Sequence, residues 1–210
     1  MLVNDQAGAS QGESHILHPG SRALFRTWDA ARHGEPLARR DAIDLKELRP
    51  QIGNLFLVER VAGSTGFRWR LAGTGMTAIY RHDMTGQSVL AGWDRFERSV
   101  IERFLNGVVE EFQPSVLRFR LHTDTSQLIG VEMLALPVTA RSGAIQIFGG
   151  LFAFRDTVAL GYNRIASQEL SGARGVWAEH LTSDDQGHPA ARQVAPPNFR
   201  PFQVIPGGRS

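Results

Sequence analysis

There is no cysteine among these 210 residues. Disulfides, cysteine-ligated zinc, iron–sulfur clusters and cysteine nucleophiles are excluded, and so is a flavin photoreceptor working through a cysteinyl adduct. Tyrosine is scarce, with only Tyr80 and Tyr162. No run of about 18 apolar residues occurs; the longest candidate, residues 145–154, is broken by Gln146, Gly149 and Gly150. No segment is therefore expected to span a membrane. Residues 1–14 show no basic stretch followed by an apolar one, so no export signal is read there and the cytoplasm is the expected location. A dominant charge is lacking too. Lys and Arg number 23 against 21 Asp and Glu, a net of +2. The signs interleave in Arg95, Glu97, Arg98, Glu102 and Arg103, which marks a solvated helix face and not a nucleic-acid footprint.

What is plentiful is glycine and proline, 22 and 10 residues, which point to much loop and to a core built by part of the chain. Residues 1–18 are polar and without period and are expected to be disordered. Ser21 is placed to cap a helix running to about Arg32, with Leu24, Phe25, Trp28 and Ala31 on one stripe. Residues 36–52 suggest a second short helix packing through Ile43, Leu45, Leu48 and Ile52. Strands are expected at 54–60 and 67–72. In the latter, Phe67, Trp69 and Leu71 alternate with Arg68 and Arg70, a half-buried pattern. A broken helical region follows Gly73 and closes at Asp83-Met-Thr-Gly86. Residues 93–113 form a long amphipathic helix: Trp93, Phe96, Val100, Phe104 and Val108 line its apolar stripe, with Ile101, Leu105, Val109 and Phe112 beside them. Three strands at 114–122, 128–137 and 144–155 make an antiparallel meander, its turns marked by Asp124 and by Ser142-Gly143. Gly149-Gly150 in mid-strand signals a bulge or a close approach. From residue 157 the pattern decays, and 157–210 is expected to be a flexible tail.

The order strand pair, helical patch, long helix, three-stranded meander resembles that of a PAS domain. So do Pro36-x-x-Arg39 with Asp44-Leu45, the strand Leu55–Glu59, Arg70-Leu-Ala-Gly-Thr74, Asp83-Met-Thr-Gly86, and Glu132 followed by Leu134-Ala-Leu-Pro137. Together they are similar to the short bacterial single-domain PAS proteins over residues 19–156, with a weaker echo in Val194-Ala-Pro-Pro, Phe202 and Gly207-Gly-Arg209. The resemblance implies an α+β fold: a five-stranded antiparallel sheet crossed by the long helix, a flanking N-terminal helix, and a cavity between sheet and helix. It implies signalling, not catalysis, through contact with a partner protein, with a small ligand in the cavity as modulator or as the sensed species. PAS haem sensors carry a His on or near the long helix; residues 93–113 contain none and His82 is the nearest, which speaks against haem. No cofactor is otherwise indicated.

The ligand-pocket candidates are Trp69, Thr74, Met76, Ile79, Tyr80, Phe96, Val100, Phe104, Met133 and Phe148, with Arg70 as a further polar group. Apolar walls with few polar groups suit a pocket, and the same residues would also make an ordinary core. Leu24, Phe25 and Trp28 are read as a homodimer interface, the alternative being packing within one subunit. Asp83 is read as capping its turn, and His82 beside it is too little for a metal site. His122, Asp124 and Glu132 are read as solvated strand ends. Arg68, Arg70, Arg118 and Arg120 are read as a solubilising stripe. Gly73-x-Gly75 lacks the rest of a phosphate loop. A rival reading, a cone-shaped α+β isomerase, would need an inward-facing Asp or Tyr pair.

Overall fold

The computed structural model describes residues 15–64, 66–155 and 163–176. The expected disorder of residues 1–14, and the tail from 177 with its Phe202 and Arg209 motifs, lie outside these. The elements are α1 (Pro19–Arg32), β1 (Ala38–Arg39), β2 (Leu55–Arg60), β3 (Phe67–Ala72), α2 (Thr74–Tyr80), α3 (Arg95–Glu110), β4 (Ser115–Thr123), β5 (Leu128–Thr139), β6 (Ile145–Ala153) and β7 (Ile165–Gly175). The sheet runs β3-β2-β6-β5-β4-β7, antiparallel throughout, and β1 adds a short parallel pairing to β5 at Val138 and Thr139.

This is the expected α+β architecture with a larger sheet. The extra full strand, β7, lies in the stretch read as tail. Its side chains are exposed or half-buried, so no apolar alternation betrays it. Its order comes from a backbone ladder along the whole of β4, interrupted by two register shifts.

Helices cover both faces of the sheet. On one face α2 and α3 enclose a core containing Phe56, Trp69, Met76, Ile101, Leu105 and Leu117. On the other, α1 and β1 enclose Leu24, Phe25, Trp28, Leu136, Phe148 and Phe152. The central strands β5 and β6 are accordingly buried almost continuously, whereas β3 keeps the expected alternation from Phe67 to Arg70 and loses it at Leu71, which is exposed. The basic stripe is paired charge: Arg68 and Arg70 both hold Glu59, at 2.7 and 2.9 Å, Arg118 holds Glu132 at 2.9 Å and Arg120 holds Glu169 at 3.2 Å.

Several local expectations are corrected. α1 is capped by His18, whose Nδ1 accepts from Gly20 N at 3.0 Å, and Pro19 takes the first helical position; Ser21 is inside the helix and buried. Leu24, Phe25 and Trp28 are at most 1% exposed, and Trp28 Nε1 donates to Pro137 O at 2.8 Å. They pack on their own sheet and leave no apolar face for a second copy. Residues 15–18 are ordered, with Ile16 fully buried. Residues 36–52 form no α-helix. Short 3-10 turns at Arg40–Ala42 and Arg49–Asn54 replace it, burying Ile43 and Leu48 and leaving Leu45 and Ile52 exposed. Pairing of Ala38 and Arg39 with β5 takes the start of the segment, and Pro50 breaks its end.

Glu132 overturns the reading of solvated strand ends. Its side chain is fully buried. It accepts from the backbone N–H of Leu17 at 3.0 Å and of His18 at 2.8 Å, and from Arg118 Nε. The same guanidinium donates to His15 O. One carboxylate on a central strand thereby anchors the entry to α1. The glycine pair of β6 is a close approach and not a bulge, since pairing to β5 and β2 continues through it without a shift.

Candidate functional site

A cavity of about 520 Å³ lies between the sheet and the α2–α3 side of the molecule. The sheet lays its floor with Trp69, Leu117, Phe119, Met133 and Leu151; Ile101 of α3 and Met84, Val89 and Trp93 of the connection before it close it from the helical side. Trp93 stands edge-on to Phe119, ring centroids 5.1 Å apart, and Trp69 edge-on to Phe56 at the same separation. The mouth is polar, lined by Tyr80, Arg81, His82, Gln87 and Ser88 and by residues 164–168 at the start of β7.

The connection before α3 is built by its turn. Asp83 Oδ1 accepts from Thr85 N at 2.9 Å, the capping role expected of it, and this backbone hydrogen bond is the main reason its carboxyl titrates below the usual range. The chain then runs along the outer edge of β3: Gly86 N donates to Trp69 O at 2.7 Å, Trp69 N to Gln87 O at 3.0 Å and Val89 N to Phe67 O at 3.0 Å. The edge of the sheet is covered, and the Trp69 backbone is fixed from both sides. Gly73 and Gly75 bring the start of α2 against Gly53 and Asn54, where a Cβ at either position would overlap them. The motif is a packing contact.

At the mouth the Tyr80 hydroxyl donates to Gln168 Oε1 at 3.3 Å, and Gln168 Nε2 donates to Ala91 O at 3.1 Å. One amide of β7 ties the end of α2 to the loop before α3. Burial pushes the Tyr80 phenol upward, so it stays neutral. His82 Nδ1 lies 2.9 Å from Tyr80 O; a carbonyl only accepts, so Nδ1 is the donor in this contact.

Helix α3 begins with a reciprocal capping box. Glu97 N donates to Asp94 Oδ1 at 2.8 Å, and Glu97 Oε2 accepts from Asp94 N at 3.4 Å. Glu97 Oε1 also accepts from Leu170 N of β7 at 2.7 Å. A glutamate is thereby drawn into the buried line Glu97, Ile101, Leu105, Val108. The core-facing line keeps Val108 of the expected stripe and runs through Ile101 and Leu105, expected beside it, turning Phe96, Val100 and Phe104 away from the core. Phe96 is 76% exposed as a result. Replacing Glu97 by alanine removes both the cap reciprocity and the acceptor for Leu170. Amide exchange at Leu170 and its neighbours in β7 should accelerate by about tenfold or more, equivalent to the 1–3 kcal/mol of an orphaned buried donor. Unchanged exchange would show that β7 does not depend on this contact.

The family model for the PAS domain matches residues 16–153. This chain belongs to the PAS domain family. No curated protein matches it. In this PAS domain Trp69, Tyr80 and Met133, of the ten expected pocket residues, line the cavity. Met76 and Ile79 are buried in the core that surrounds it. The other five are corrected. Phe96 faces outward, and Val100 and Phe104 lie only half-buried on the flank of α3. Thr74 is exposed at the start of α2. Phe148 points to the opposite face of the sheet, among the residues under α1. Arg70 pairs with Glu59 outside. The residues missed are the β7 wall, the floor residues Leu117, Phe119 and Leu151, the cover of Met84, Val89, Trp93 and Ile101, and the mouth residues other than Tyr80. The Asp83 motif marked the mouth in the sequence; nothing marked the wall. Among the described residues no group of three or more His, Asp or Glu stands close enough to hold a metal, and no helix is long and apolar enough to cross a membrane. PAS domains serve in sensing and signalling, and that general role is this chain's.

Proposed function

We propose that this PAS domain senses a small molecule in the cavity and acts, without catalysis, through contact with a partner protein in the cytoplasm. The observation that carries the reading is the cavity itself. Its size lies within the range of small-molecule sites, and it combines an apolar floor with a polar mouth. Its walls also supply a route outward. A ligand acts only through different affinities for two states, and one that competes for Tyr80 or Gln168 would change how β7 is held. The isomerase alternative draws no support from the lining, which among the described residues holds one tyrosine and no carboxylate. Self-association would use a face other than α1, because Leu24, Phe25 and Trp28 are internal; the most exposed large apolar side chain among the described residues is Phe96.

Native mass spectrometry of protein incubated with a metabolite extract is expected to show retained low-mass ligand. Met133→Trp, which fills the floor, should abolish retention while circular dichroism stays unchanged. Bare chain mass after every extract, together with no melting shift across a small-molecule library, would sink the sensing reading.

A further inference from the structure

The charge around the cavity is one-sided. Among the described residues its lining includes two arginines, Arg81 and Arg164, and no acidic residue. The nearby carboxylates are already engaged: Asp83 with Thr85, Glu97 with Leu170 and Asp94, and Asp124 with the backbone N–H of Arg164 at 3.2 Å. The Arg164 guanidinium has no acidic partner among the described residues. This contrasts with the arginines of the sheet, four of which are paired. Below the cationic mouth the floor is aromatic, with Trp69, Trp93 and Phe119.

Resting on the reading of this cavity as a ligand pocket, we propose that it takes a carboxylate with a flat apolar body. The body lies on the aromatic floor, and the carboxylate meets the Arg164 guanidinium at the mouth. A guanidinium presents a planar fork of donors that matches a carboxylate bidentately, and a charge-assisted pair is about twice as strong as a neutral hydrogen bond. An uncharged isostere loses that pairing and keeps the floor contacts. The position of Arg164, immediately before β7, also makes the ligand's charged end a contact to the one wall that lies beyond the matched family region.

The test is calorimetric titration of the full chain with 1-naphthaleneacetate and 1-naphthaleneacetamide, which differ only in charge at one end. The acid should bind at least about 10-fold more tightly than the amide. Arg164→Gln should bring the two within about 3-fold by weakening the acid alone, while Arg103→Gln, on the exposed side of α3, should leave the ratio intact. Equal binding of acid and amide, or a ratio unmoved by R164Q, overturns the proposal and leaves the sensing reading standing. Binding of neither compound at millimolar concentration also overturns it, and the extract experiment then decides the sensing reading separately. Circular dichroism of R164Q checks that the substitution at this exposed position leaves the fold unchanged.

Discussion

Glu132→Ala is expected to destabilise the domain by about 3–5 kcal/mol, the usual consequence of removing one partner from a buried ion pair. Three donors converge on this carboxylate, the N–H groups of Leu17 and His18 and the Arg118 guanidinium. The two backbone N–H groups lose their acceptor and the Arg118 guanidinium its counter-charge, keeping only His15 O, at a site where Glu132 itself is fully buried. Glu132→Gln keeps one acceptor and should be less damaging, and it isolates the charge. Burial works to raise the Glu132 carboxyl, but the hydrogen bonds from His18, Leu17 and Arg118 outweigh it and hold it below the usual range. The fold therefore binds the deprotonated form better than the unfolded chain does. That stabilisation is fully present above the unfolded value of about 4.3 and is lost as pH falls through the lower folded value. His18 adds a second window. Burial lowers its imidazole below the ordinary value, partly offset by the Glu132 charge, so the unfolded chain takes up the proton first and stability declines as pH drops below about 6.5. Urea unfolding from pH 3 to 7.5 should show both declines. In Glu132→Gln the carboxylate decline should become shallower, leaving the share of Asp41, Glu59 and Asp83, and the decline below pH 6.5 should deepen because His18 has lost its raising partner. Parallel wild-type and mutant pH curves would refute this assignment.

Glu132 also shows why some of this domain was legible in the sequence and some was not. Features local to one element are legible: the Phe67–Trp69 alternation in β3, the existence of the amphipathic helix α3, and the turn at Asp83. Features created by residues distant in sequence are not. Glu132 looks like a surface glutamate because its partners come from residues 17, 18 and 118. Glu97 looks like the wet side of α3 because its acceptor role is completed by Leu170, 73 residues on. Without that contact the apolar stripe centres on Phe96, Val100 and Phe104, and the pocket residues chosen from it face the wrong way. Strand β7 carries almost no burial signal, being specified by the ladder it forms with β4, and with it the wall at residues 164–168 went unread. Phe148 belongs to the opposite face because the sheet is covered on both sides, and the sequence of β6 does not tell which apolar residue meets which cover. With α1 covering the other face, Phe148 and Phe152 of β6 belong there.

Gly149→Ala is expected to destabilise by about 3 kcal/mol or more, at the upper end for overpacking a close-packed core. A Cβ at Gly149 would overlap the Phe56 ring and the Leu134 carbonyl oxygen, and the backbone oxygen belongs to the paired strand and cannot turn aside. The same change at Gly107 should have the opposite sign. Gly107 lies within α3, and an added Cβ would meet only Gln113 Oε1, at 3.9 Å, so alanine should stabilise by up to about 1 kcal/mol through helix propensity. Thermal and urea unfolding of the two variants make the comparison within one chain. Phe56 stands edge-on to Trp69, and Trp69 lies in the cavity floor, so displacement of the Phe56 ring reaches the pocket. Gly149→Ala should therefore alter Trp69 emission and weaken binding of an apolar probe even at temperatures where the protein remains folded. Gly107→Ala should change neither. A Gly149→Ala protein as stable as wild type would mean that Phe56 and the β5–β6 pair can separate without penalty. The close approach would then not be what requires glycine in mid-strand.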